Sequence, residues 1–100
     1  MKQIVLEHLA NKASKSWNEG EALVLKATER WSEQFHHHHA RVIHTNPVYI
    51  GDGCYREYHI LQSYDTLVAI VEGNHLYMVD TQRYSNSTTR QITRFIREYC

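Results

Sequence analysis

The sequence predicts a single α+β domain over 1–100, an antiparallel sheet of hairpins with a C-terminal amphipathic helix packed on it. Three observations carry that prediction. Gly73-Asn74 separates the apolar runs Leu67–Val71 and Leu76–Val79 at the spacing of a two-residue hairpin turn. Gly51-Asp52-Gly53 separates Val48-Tyr49-Ile50 from the alternating run Cys54–Ser63, and its glycines accept the positive φ of a short loop. Ile92, Phe95, Ile96 and Tyr99 recur at offsets of three, four and seven, the stripe of a helix that gives one face to a core.

Taken in order, Lys2–Lys12 holds Ile4, Val5, Leu6 and Leu9 and reads as a short strand. Asn18-Glu19-Gly20 is a turn signal, which pairs Ser14–Trp17 with Ala22–Leu25 as a hairpin. A second reading of the same stretch stands beside it: a helix over Glu21–Phe35 with Val24, Ala27, Trp31 and Phe35 on one stripe. Ala40–His44 reads as a strand because Val42 and Ile43 are β-branched, and Asn46-Pro47 ends it.

The Gly73-Asn74 turn sets a register in which Val71 opposes Leu76, Ile70 opposes Tyr77, Ala69 opposes Met78 and Val68 opposes Val79. Strict alternation then puts Val68, Ile70, Tyr77 and Val79 on one face, and Leu67, Ala69, Val71, Leu76 and Met78 on the other. Neither face is polar, so the hairpin needs two covers. The C-terminal helix is one; the N-terminal segment or a second chain is the other, which makes a homodimer through this hairpin one expectation. The helix opens near Thr88, where Thr88-x-x-Gln91 has capping-box spacing. Five or six strands, about what one sheet of this size holds, are expected in all.

Composition bounds function more than it reveals it. With 42% hydrophobic and 22% charged residues the chain is an ordinary globular sequence. Net charge is zero with histidine neutral, but unevenly spread. From Glu21 to Asp80, four basic residues meet eight acidic ones, a balance of −4; from 81 to 100, four arginines meet Glu98, a balance of +3. Ile4-Val5-Leu6 is too short for a signal-peptide core and no run reaches membrane-spanning length, so a cytoplasmic protein without membrane contact is expected. Cys54 and Cys100 show no metal-motif spacing and read as plain thiols.

Ser63-Tyr64-Asp65-Thr66-Leu67-Val68-Ala69 and Tyr84-Ser85-Asn86-Ser87-Thr88 resemble motifs of a group of small phage- and plasmid-encoded proteins of unknown function. His8–Ser16 is similar to their usual lead-in, so the resemblance covers roughly 45 residues, less than the ~100 of a common domain. It departs from them at Gln91, where histidine is frequent, and in 29–57, which looks like an insertion. The resemblance implies a mobile-element origin and a non-catalytic binder of a host factor rather than an enzyme.

Two residue sets carry candidate chemistry. His36-His37-His38-His39 is the most conspicuous tract; in a strand His36, His38 and His44 share a face, and neutral imidazole suits zinc, nickel or copper. The plain reading is a solvated polar loop, because no cysteine or carboxylate stands at zinc-motif spacing. Arg83, Arg90, Arg94 and Arg97 offer a phosphate-contacting stripe, against the plain reading of a solvated helix face. His59, flanked by Glu57 and Tyr58, reads as a half-buried sheet histidine, with acid–base work reserved for a cleft. No nucleophile elbow, phosphate loop or HExxH occurs, so no catalytic residue and no cofactor is expected. The leading expectation is an accessory protein that binds a host protein, inhibition being one outcome; the alternative is a nucleic-acid-binding module using the arginine stripe.

Overall fold

The computed structural model describes residues 16–35, 39–73, 75–80 and 86–99. The strand expected in Lys2–Lys12 lies outside them. The described chain runs β1 (Ser16–Asn18), α1 (Glu19–Lys26), β2 (Glu29–Gln34), β3 (Ala40–Thr45), β4 (Val48–Gly51), β5 (Cys54–Arg56), β6 (His59–Ser63), β7 (Thr66–Glu72), β8 (His75–Asp80) and α2 (Asn86–Tyr99). Six strands form one sheet in the order β1-β8-β7-β6-β3-β2, and β4 with β5 forms a separate two-stranded ribbon. The pairs are antiparallel except β1 with β8, which is parallel.

The hairpin expected from Ser14 to Leu25 does not form. Asn18 is an N-cap instead: its side chain accepts from the Glu21 amide at 2.8 Å, and its own amide donates to Glu21 Oε1 at 3.1 Å. Asn-x-x-Glu is a capping box, which satisfies two orphan amides and starts a helix where a turn residue alone would start a hairpin. The rival helix over Glu21–Phe35 is correct only for its first part. After Lys26 the chain turns at Ala27-Thr28 and re-enters as β2, so Trp31 and Phe35 belong to a strand.

The Gly73 hairpin pairs as its turn dictates, with Ala69 opposite Met78, Ile70 opposite Tyr77 and Val71 opposite Leu76. Gly73 has φ +58, a conformation that side chains with a Cβ rarely take. The assignment of faces, however, is altered by a bulge. Leu61 pairs with Ala69 but Gln62 pairs with Leu67, which leaves Val68 without an opposite residue on β6. The extra residue exchanges the faces of Leu67 and Val68 relative to strict alternation.

Two cores result, one on each side of the sheet. The first holds Trp17, Ala22, Leu25, Ile43, Val48, Tyr58, Ile60, Leu67, Ile70 and Val79. The second holds Phe35, Ala40, Val42, Leu61, Val68, Ala69, Val71 and Phe95, with Ile92 and Tyr99 packed against it. Among the described residues, α1 lies over the first core, with Ala22 and Leu25 buried. The run Cys54–Ser63, read as one return strand, divides: β5 closes the ribbon on β4, while β6 joins the main sheet between β3 and β7. Among the described side chains of α2 the buried positions are Gln91 and Phe95, whereas Ile96 is 37% exposed, so the stripe is rotated toward Gln91. The Thr88–Gln91 cap involves a side chain outside those described.

These burials predict unequal responses on α2. Phe95→Ala removes a side chain with no exposed surface and should cost about 3–5 kcal/mol, and Ile96→Ala about 1 kcal/mol or less, measured as shifts in urea midpoint at constant m-value.

Candidate functional site

Three surface or near-surface arrangements carry chemistry. The first lies at the polar end of the second core, where β2, β3, β6 and α2 meet. On β2, Trp31 and Glu33 share a face by the two-residue period, and pairing puts Trp31 opposite His44. On β3 and β6, His44 is opposite His59. The two imidazoles meet Nδ1 to Nδ1 at 2.7 Å, one donating and one accepting. Trp31 stacks on His44 with centroids 4.0 Å apart and planes inclined 20°. From α2, the Tyr99 hydroxyl donates to Glu33 Oε1 at 2.7 Å, and the same oxygen lies 3.8 Å from His44 Nε2.

Burial first, and the neighbouring His44 second, hold His59 below the usual histidine range, against the opposite pull of Glu57 and Glu33. Tyr99 is pushed well above the ordinary phenol range by burial, then by its bond to Glu33 and by the Glu33 and Glu98 carboxylates. His44 Nε2 is itself buried without a hydrogen-bond partner. The expected candidate His44 is thus engaged with His59. Its proposed companions His36 and His38 lie outside the described residues. The flanks of their tract, Phe35 and Ala40, close the β2–β3 hairpin at the end away from His44, about 13 Å along the strand. Among the described residues no group of three or more His, Cys, Asp or Glu side chains is placed to hold a metal ion.

The second arrangement is a cleft between α1 and the β6–β7 turn, lined by Glu19, Leu23, Asp65, Thr66 and Leu67 and holding about 60 Å3. That is room for a few waters or the tip of one side chain. Leu23 is 57% exposed although it sits on α1 between the buried Ala22 and the half-buried Val24. Tyr64, beside Asp65, takes φ +55, costly for a bulky residue. Its amide donates to the His39 carbonyl at 2.7 Å and its ring stacks on His39 at 4.4 Å, which hold the turn in place.

The third is the outer face of α2. Arg90, Arg94 and Arg97 are exposed at offsets of four and seven, and no carboxylate pairs with them among the described residues. Arg83, the fourth member of the expected stripe, lies outside the described residues.

The model of a family of unknown function, DUF8033, matches residues 6–100. The chain belongs to this family. No curated protein and no solved structure matches it. The DUF8033 match covers all three arrangements and assigns chemistry to none of them. Among the described residues no helix is long and apolar enough to cross a membrane.

The sequence singled out His44, His59 and the arginines, but not Trp31, Glu33 or Tyr99 as their neighbours. Those contacts depend on strand register and on where α2 lands, and no local motif encodes either. The same holds for the DUF8033 chain's ion pair of Arg56 with Glu72. Glu72 is 8% exposed at its side chain and Arg56 51%, so the pair straddles the boundary of the first core. Beside it, burial and then Glu72 push the Tyr58 hydroxyl well above its ordinary range, with Arg56 opposing. Arg56→Ala should leave a buried carboxylate uncompensated and cost about 2 kcal/mol, less than for a fully enclosed pair because the guanidinium is half exposed; chemical denaturation measures it.

Proposed function

We propose that the chain is a non-catalytic binding module whose partner is a protein, seated at the cleft between α1 and the β6–β7 turn. The observation that carries this reading is Leu23, an exposed leucine in a concave site flanked by Glu19 and Asp65. An apolar side chain ringed by polar groups has the core-and-rim layout of protein-binding sites. The strained Tyr64 backbone beside it fits, because strain of this kind persists where surrounding contacts over-determine a useful geometry. The complementary ligand is a segment with one apolar side chain next to lysine or arginine. In this reading the module is an accessory protein of a phage or other mobile element, working in the host cytoplasm on a host protein.

A second reading rests on the α2 arginines. Three guanidinium groups spread over about 10 Å of helix, without carboxylate partners among the described residues, suit contact with successive phosphates. Neutralising three phosphates gives a slope of log K against log salt of about −2 to −3.

One set of variants separates the readings. Leu23→Asp and Glu19→Lys should abolish a defined complex recovered from host lysate while leaving the melting temperature within a few degrees, and Arg90→Ala with Arg94→Ala should leave that complex intact. The protein reading fails if no complex forms or if both sets of variants bind equally. The nucleic-acid reading requires retention on DNA or RNA at low salt, with the slope falling by about 1.5 in the double arginine variant.

A further inference from the structure

We propose that His44 and His59, together with Glu33 and Tyr99, form an acid-sensitive latch that holds the last turn of α2 on the sheet near neutral pH and releases it when both rings are charged. At 2.7 Å, the space between the two Nδ1 atoms accommodates one hydrogen. Whichever ring donates, the other accepts at its Nδ1 and carries its own hydrogen at Nε2. One added proton finds the free Nε2 of the donating ring, which takes no part in this bond, and the contact survives. With both rings charged, each Nδ1 carries a hydrogen, and the two meet head-on across 2.7 Å. Like charges and two facing donors then drive the rings apart.

Packing decides which ring moves. His44 is 8% exposed, with Trp31 stacked on it at 4.0 Å and Tyr99 at 5.7 Å. His59 is half-buried, and the Tyr99 ring packs on it with centroids 5.0 Å apart and planes inclined 35°. Rotation of His59 therefore displaces Tyr99. The hold on Tyr99 is otherwise modest: one bond to Glu33, itself 41% exposed at its side chain, and ring contacts with Phe35 at 6.2 Å and Phe95 at 5.3 Å. Phe95, fully buried one turn earlier, stays behind as the hinge side of the helix.

The charged groups around the pair set the sense of the response. Glu33 from β2, and Glu57 from the segment before β6, favour a charge on His59; burial and His44 from β3 oppose it and prevail. Glu33 on β2 and Glu98 on α2 act on Tyr99, which stays neutral throughout. On β7, His59 is opposite Val71, which brings no charge, and the next residue, Glu72, is paired with Arg56. A histidine held below its ordinary range leaves stability unaffected above that range. It lowers stability as pH falls through about 6.5, where the released or unfolded state binds a proton that the docked state refuses.

The test is NMR of the full chain from about pH 7.5 to about pH 5, the span in which histidine titrates. The expected result is loss of the Tyr99–Phe35 ring NOE together with the slowly exchanging Nδ1 proton, while the Phe35–Phe95 ring NOE persists. In His59→Gln, whose side chain does not titrate, the Tyr99–Phe35 NOE should be the same at both ends of the range. The latch is overturned if the wild-type Tyr99–Phe35 NOE survives, if it disappears only together with Phe35–Phe95, or if His59→Gln loses it as the wild type does. Should His59→Gln not fold, Tyr99→Phe decides. It keeps the ring and removes the bond to Glu33, so its contact with Phe35 should vanish at a higher pH than in the wild type; an unchanged midpoint overturns the proposal.

Discussion

A strand whose residues from Leu67 to Glu72 are all buried has to be covered on both faces, and most of this architecture follows from that requirement. β7 lies in the middle of the sheet, between β6 and β8, so its backbone groups are paired on both edges. Its side chains divide between the two cores, Leu67 and Ile70 toward α1, Val68, Ala69 and Val71 toward α2. Each fully buried aliphatic side chain contributes roughly 1.5–3 kcal/mol relative to exposure, so neither cover is dispensable in a domain of this size. The bulge at Val68 adjusts the division, sending two consecutive residues toward the α2 core and tightening the local twist.

The polar sites sit where these two cores end. On the α2 side, the aliphatic packing gives way to Trp31, Glu33, His44, His59 and Tyr99, joined by the His44–His59 and Tyr99–Glu33 hydrogen bonds, with His44 Nε2 buried and unpartnered. On the α1 side, the helix leaves Leu23 outside the core it helps to close, next to the turn that joins β6 to β7. Both places are attached directly to the central strand pair.

Much of the frame was legible because its signals are local. Gly73 between two apolar runs sets the β7–β8 register, and the three-four-seven spacing of Ile92, Phe95 and Tyr99 marks α2. The Asn18–Glu21 capping box was equally local but competed with a turn signal from the same residues, and two carboxylates in the first turn of α1 favoured the helix. What was not legible depends on distant pairing. The bulge at Val68 is visible only against β6, and the exposure of Ile96 follows from the angle at which α2 meets β6 and β7. The approach of His44 to His59, fifteen residues apart, comes from β3 and β6 being neighbours, with the β4–β5 ribbon between them in sequence.

Native-state hydrogen exchange shows whether the double burial of β7 organises the domain. The amides of Leu67–Val71 should exchange only through global unfolding, with an exchange free energy equal to that from denaturant melts and a full-size denaturant dependence. Amides of the edge strand β2 should exchange at lower free energies. If the β7 amides exchange through local opening, at or below the free energy of β2, then the domain is not built around that strand and the account is wrong.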